Sequence, residues 1–149
     1  MRLSTKGRYG LRALVDLAAY SEERPVSISE IAKRQDISIR YLEQLLAKLK
    51  KAGIVKSIRG AQGGYLMAKN AEEVSVGDVL RILEGDLVLV ECTELTETQK
   101  SCIGSRYCVT KSVWKKINDS IEQTVDSIML KELVDESKAI YKNENITER

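Results

Sequence analysis

The 149-residue chain contains no histidine. That absence excludes every Ser-His-Asp or Cys-His catalytic arrangement and every imidazole metal ligand. No other nucleophile–base pair is recognisable, so an enzyme is not expected. Phe is also absent and Pro occurs once. No run of 18 apolar residues exists, so no transmembrane helix and no membrane association are expected. The first residues, Met1-Arg2-Leu3-Ser4-Thr5-Lys6, lack the apolar segment of a signal peptide, and a cytoplasmic location is the expectation.

Acidic residues are scarce in the first half. Residues 1–69 hold 14 Lys/Arg against 6 Asp/Glu, a local charge of +8, whereas residues 70–149 hold 10 against 16, a local charge of −6. The overall +2 hides this division. A basic half is the footprint of a phosphate-binding surface, although solvated helix faces also carry such runs.

Apolar periodicity then organises the chain. Residues 5–21 read as a helix through Leu11, Leu14, Val15 and Ala18, with Ser4 or Thr5 as its cap. Residues 28–35 form a short second helix, opened by the Ser27/Glu30 capping-box spacing. Asp36-Ile37-Ser38 is a turn, and Ser38 caps a third helix to about Ala52 with Leu42, Leu45, Leu46 and Leu49 on one stripe. Gly53 follows as a natural helix stop. The β-prone run 54–58, a Gly-rich tip and Tyr65-Leu66-Met67 make a hairpin pattern. Ser75 caps a further helix that Gly85 ends. From about Thr110 a long helix begins, with Val113, Ile117, Ile121, Val125 and Ile128 as a seam and Trp114 beside it. A last helix covers roughly 130–141. The expected organisation is a DNA-binding domain at 1–85, a cysteine-bearing loop at 86–109, dimerisation and C-terminal helices at 110–141, and a flexible tail at 142–149. The fold class is mainly α with a small β-hairpin wing, a winged helix-turn-helix with a long dimerisation helix.

Helix, turn, helix and hairpin in this order suit duplex DNA. The third helix leaves Arg40, Tyr41, Glu43, Gln44 and Lys48 outside its Leu stripe. Arg and Gln can read base edges in a major groove, and Glu can accept from a cytosine amino group. Arg59 sits at the hairpin tip among glycines, where it can enter a narrow minor groove. Three-helix clusters with a hairpin also serve as protein-interaction modules. The seam of the long helix is buried either by a second copy or by its own domain.

Cys92, Cys102 and Cys108 are the only cysteines and lie within one 17-residue window. Clustered thiols in a reducing compartment serve metal or redox sites more often than disulfides. Thiolates suit Fe–S clusters or zinc, and spacing alone does not separate them. Three unrelated thiols remain the plain alternative.

Met1 through Tyr9, Ser38 through Leu45, and Val55 through Leu66 with Arg59-Gly60 and Gly63-Gly64-Tyr65 together resemble the Rrf-two family of bacterial regulators. Its members include iron–sulfur cluster regulators of the IscR type and cysteine-metabolism regulators of the CymR type. The resemblance runs from residue 1 to about 135. It implies a homodimer that binds double-stranded promoter DNA, usually as a repressor. It places Ser38, Arg40, Tyr41, Glu43 and Gln44 on the major groove or its flanking phosphates. Arg59 and Gly60 would serve the wing, and Thr5, Lys6 and Tyr9 the backbone. The cysteine trio falls where IscR-like members hold a 2Fe–2S cluster, so Cys92, Cys102 and Cys108 are implied as cluster ligands. The sequence departs from that branch in a longer Cys92–Cys102 spacing and in Lys111, which stands where the branch has His. Lys ligates only when neutral; Ser105, Glu94 and an exogenous ligand are its rivals. The nitric-oxide-sensing branch uses an acidic residue where this chain has Arg8. Residues 1–85, notably Arg59-Gly60-Ala61 and Arg81 to Gly85, also resemble the CymR-like branch. That branch implies a thiol switch or a cysteine-biosynthesis enzyme as partner.

Overall fold

The computed structural model describes residues 2–90 and 107–144. Helix α1 spans Thr5–Tyr20, α2 Ile28–Gln35 and α3 Ile39–Lys51. Strands β1 (Val55–Ile58) and β2 (Gly64–Met67) follow, then a 3-10 turn at Ala71–Glu73, α4 (Val76–Glu84), α5 (Lys111–Ser127) and α6 (Leu130–Asn143). The last helix runs past the expected end at 141 to Asn143, so Lys142 is helical rather than part of a tail.

Local chemistry sets most boundaries. Of the two candidate caps, Ser4 serves α1, its hydroxyl accepting from the Lys6 N–H at 3.1 Å. Ser27 and Glu30 close a reciprocal capping box on α2, and Ser75 and Asp78 do the same on α4. Ser38 caps α3 through the Tyr41 N–H at 3.2 Å. Gly53 takes φ +78°, the left-handed conformation that stops α3 after Ala52.

Glu30 does more than cap. Its carboxylate also accepts from Arg24 at 2.7 Å, which with the Ser27 N–H lowers its pKa from 4.5 to about 2. A carboxyl depressed in the folded state stabilises above its unfolded pKa and loses that contribution as pH falls through the folded one. Stability is therefore expected to decline between 4.5 and about 2 on account of this group. Glu30→Gln keeps a capping-box residue but not the charge. Comparing urea midpoints at about pH 6 and about pH 3 should show a smaller acid loss in the variant than in the wild type.

Leu42, Leu45, Leu46 and Leu49 of α3 pack with Leu14 and Leu17 of α1, Ile31 of α2, Leu83 of α4, and Leu130 and Val134 of α6 in one core. β1 and β2 pair antiparallel with Val55 opposite Met67 and Ile58 opposite Gly64. The hairpin is anchored along β2, near its tip end: the Val26 N–H donates to the Tyr65 carbonyl at 3.0 Å, and the Tyr65 N–H to the Val26 carbonyl at 2.8 Å. Gly64 permits this, since a Cβ there would lie 2.4 Å from the Val26 carbonyl oxygen.

The seam of α5 divides in two. Val125 and Ile128 pack with Leu133 against Val76, Leu80 and Leu87. Arg81 of α4 clasps Asp126 at 2.6 and 3.0 Å. The other half faces outward, with Val113, Trp114 and Ile117 at 46%, 38% and 41% exposure.

Candidate nucleic-acid interface

The outward face of α3 is set by its buried one. Four leucines occupy the inner stripe, which turns Arg40, Glu43 and Gln44 to solvent. Arg59 and Gly60 are exposed at the hairpin tip, and Gly60 takes φ +114°, a turn conformation that a residue with a Cβ avoids. Thr5 and Lys6 are exposed at the start of α1.

Tyr41 and Tyr9 are not simple surface groups. The hydroxyls of Tyr41 and Thr5 share a hydrogen bond of 2.8 Å. The two tyrosine rings meet edge to face, with centroids 6.2 Å apart and planes at 84°. The start of α1 is thereby fixed to the first turn of α3. The guanidiniums of Arg8 and Arg12 lie 5.8 and 5.5 Å from the Tyr9 ring centroid. Arg12 also donates to the Gln35 carbonyl at 2.7 Å, holding the end of α2 where Asp36 turns left-handed at φ 53°.

Three supports escaped the sequence reading. Glu84 at the end of α4 accepts from the Ser4 hydroxyl at 2.7 Å and the Gly7 N–H at 2.9 Å. These hydrogen bonds outweigh its partial burial and lower its pKa, so a carboxylate sits on the positive end of α1. Gly7 and Gly10 make room for α4: a Cβ on Gly10 would lie 2.2 Å from a Leu83 methyl. This glycine pair three apart, on one side of a helix whose other residues carry side chains, was a readable sign of close packing.

Second, Asp16 of α1 is buried and accepts from the Nε and Nη2 of Arg34, at 2.9 and 2.8 Å, and from the Gln35 amide at 2.9 Å. The Arg34 guanidinium also stacks 3.9 Å from the Tyr20 ring centroid. Third, Lys50 donates to the Ser57 hydroxyl at 2.7 Å, linking α3 to the wing strand.

The cysteine loop is only partly in view. Cys92 and Cys102 lie outside the described residues, as do Glu94 and Ser105. Cys108 is exposed just before α5, with its sulfur 3.2 Å from the Thr110 hydroxyl. The Thr110 hydroxyl and the Lys111 backbone N–H hold its thiol below the usual range. That favours the thiolate, the form that ligates metal. Lys111 is the first residue of α5 and is half-buried. Among the described residues no three His, Cys, Asp or Glu side chains come together as a metal site.

The surroundings of this face have close relatives. The family profile "Rrf2: Iron-dependent Transcriptional regulator" matches residues 3–136. The HTH-type transcriptional regulator IscR of Pectobacterium atrosepticum is 40% identical over 140 residues, covering 94% of this chain and 83% of that protein. IscR of Photorhabdus laumondii is 39% identical over the same length, with the same coverage of both chains. Among solved structures, T. potens IscR superposes with a TM-score of 0.73 at 45% identity, covering 92% of this chain and 88% of that one. CymR, the global cysteine regulator of B. subtilis, gives 0.74 at 37% identity, covering 91% and 97%. The mainly helical body with its two-stranded wing is thus the winged helix-turn-helix of these regulators. On this sequence and structural evidence together, the chain is a DNA-binding transcriptional regulator of the IscR type and belongs to the Rrf2 family.

Proposed function

We infer that the chain is a cytoplasmic homodimeric repressor of iron–sulfur cluster biogenesis genes that senses cluster status through a 2Fe–2S group. The observation carrying the DNA half is the outward face of α3, where Arg40, Glu43 and Gln44 are exposed beside an exposed wing Arg59. On this reading Arg40 and Gln44 meet base edges or flanking phosphates, and Glu43 accepts from a cytosine amino group. Arg59 and Gly60 approach the minor groove, and Thr5 and Lys6 hold the backbone. Ser38 and Tyr41 join the groove or flanking-phosphate contacts and Tyr9 the backbone ones, and the Thr5–Tyr41 hydrogen bond and the Tyr9–Tyr41 ring contact hold these side chains beside one another.

The cluster half rests on the donor set. Cys92, Cys102 and Cys108 offer three thiolates, and the stabilised thiolate of Cys108 fits a ligand role. Lys111, at the position where IscR-like members have the fourth ligand, competes for that role with Ser105, Glu94 and an exogenous ligand. Bound there, the group would supply a redox- and iron-dependent occupancy signal. The Cys108 sulfur lies two residues before Thr110 and α5, so a change at the loop bears directly on the start of that helix. An effector acts only through its differential affinity for two such states.

A second reading draws on the likeness to CymR. The exposed, acidified thiol of Cys108 would then act as a redox switch. Nothing in the fold or the comparisons points to a cysteine-biosynthesis enzyme as partner.

Anaerobic purification with a visible spectrum and iron and sulfide analysis separates these readings. A brown protein with matched iron and sulfide, bleached when Cys92, Cys102 or Cys108 becomes Ala, is the expected result. An unchanged spectrum in Lys111→Ala removes that side chain from the ligand set. A protein colourless even after reconstitution rejects the cluster and leaves the thiol switch. Anisotropy titration of duplex DNA tests the other half independently: Arg40→Ala and Arg59→Ala should each weaken binding, and tightness should fall steeply with salt.

A further inference from the structure

Helix α5 presents its outward apolar half, Val113, Trp114 and Ile117, beyond the body that holds α3. Helix α4 belongs to that body: Leu83 packs in one core with the α3 leucines, and Glu84 holds the start of α1. In a homodimer paired through α5, the angle at which α5 leaves the body sets how far apart the two copies of α3 stand. The joint between α4 and α5 is where that angle is fixed.

The joint has a pivot. The Val76 N–H donates to the Ile128 carbonyl at 2.8 Å, and the Leu130 N–H to the Val74 carbonyl at 2.8 Å. Leu130 is fully buried in the main core, so this end of α5 is held in place. Beside the pivot lies an apolar contact, Val125 and Ile128 with Leu133 on Val76, Leu80 and Leu87. Apolar contact is non-directional and tolerates rotation. One further link, the Leu89 N–H donating to Asn118 Oδ1 at 3.2 Å, reaches an irregular segment beyond α4 and not a helix.

The remaining contact is directional. Arg81 Nη1 donates to Asp126 Oδ1 at 2.6 Å and Nη2 to Oδ2 at 3.0 Å, a two-pronged pair that fixes orientation as well as distance. Gly77 makes room for it: a Cβ there would overlap the Asp126 carboxylate and crowd Arg81 Nη1. The two side chains are 33% and 46% exposed, so the pair adds little to stability. What it adds is direction.

The lever is long. Ile117 lies eleven residues from Ile128, about 16 Å along the axis. A turn of about 10° at the pivot moves Ile117 by about 3 Å, close to one base-pair step along duplex DNA.

We propose that the Arg81–Asp126 clasp, seated over Gly77, is a positioning device that sets the half-site spacing the dimer accepts. The proposal rests on the homodimer inferred above. It assigns spacing specificity to the α4–α5 joint, apart from the outward face of α3.

The test uses the full chain and a set of duplexes. One carries two half-sites at the separation that the wild type selects from a random pool. Others insert or remove one base pair between them, and a last carries a single half-site. The wild type should lose affinity steeply on either side of the selected separation. Arg81→Ala and Asp126→Ala should reduce that penalty several-fold, with single-half-site affinity and melting temperature near those of the wild type. Gly77→Ala keeps both charges but excludes the carboxylate, and it should relax the spacing in the same way. A penalty as steep in Arg81→Ala and Gly77→Ala as in the wild type overturns the proposal. So does an equal loss on single and paired half-sites, since the clasp would then act on the fold and not on spacing. A dimeric wild type indifferent to spacing overturns it as well. A wild type that sediments as a monomer on its operator removes the homodimer reading and the proposal with it.

Discussion

Asp16→Ala is expected to destabilise the protein by about 3–5 kcal/mol, the usual cost of removing one partner from a buried ion pair. The Asp16 side chain is 1% exposed and that of Arg34 9%. Losing the carboxylate leaves the Arg34 guanidinium, 9% exposed, without its ion-pair partner, with the Tyr20 ring stacked on one face. The Gln35 amide loses its acceptor in the same step. For a chain of this size the melting temperature should fall by roughly 10 °C or more. The loss is one of pairing rather than of polarity. Replacing both partners by apolar groups of similar size, Asp16→Leu with Arg34→Met, should recover most of the stability. Thermal melts of the single and double variants decide the matter. A cost under about 1 kcal/mol in Asp16→Ala would mean that water reaches the pair and that it behaves as a surface salt bridge. The pair joins α1 to α2, so a destabilised variant should also bind DNA less well at temperatures near its melt.

On the homodimer proposed above, Ile117→Glu should convert the protein to a monomer and lower its affinity for a two-half-site operator by about 10²–10⁴-fold, the gain that linking two binding modules confers. Ile117 lies with Val113 and Trp114 on the exposed part of α5. Ile121 and Val125 continue this line around a hollow bordered by Lys116, Ser120 and Thr124. A second α5 set against the same face would bury these side chains from both copies, as a twofold contact requires. A carboxylate placed there meets its own copy across the axis. Because Ile117 is 41% exposed in the single chain, the substitution should leave the melting curve of the isolated fold nearly unchanged. Analytical ultracentrifugation reads the oligomeric state. A variant that remains dimeric with full affinity would move the interface elsewhere. Binding to a single half-site should be unaffected, which separates lost pairing from a damaged recognition helix.

What the sequence alone determined was whatever depends on neighbours within one or two turns. Ser27 with Glu30 and Ser75 with Asp78 fix helix starts because both partners sit three residues apart. Gly53 marks the end of α3 because a left-handed residue is needed there whatever surrounds it. The leucine spacing of α3 fixed its inner face, and so the outward exposure of Arg40, Glu43 and Gln44. Tertiary structure decided the rest. Nothing in the spacing of an aspartate on α1 and an arginine on α2 pairs them; the core brings Asp16 and Arg34 together. That the Thr5 hydroxyl and an edge-to-face ring contact join Tyr41 to the start of α1 is visible only once α1 and α3 are packed together. The apolar residues from Val113 to Ile128 share one periodicity, yet Val125 and Ile128 meet α4 while Val113 and Ile117 meet solvent. Periodicity records that a face is apolar; only the position of α4, set by contacts far along the chain, decides which part of that face is already covered.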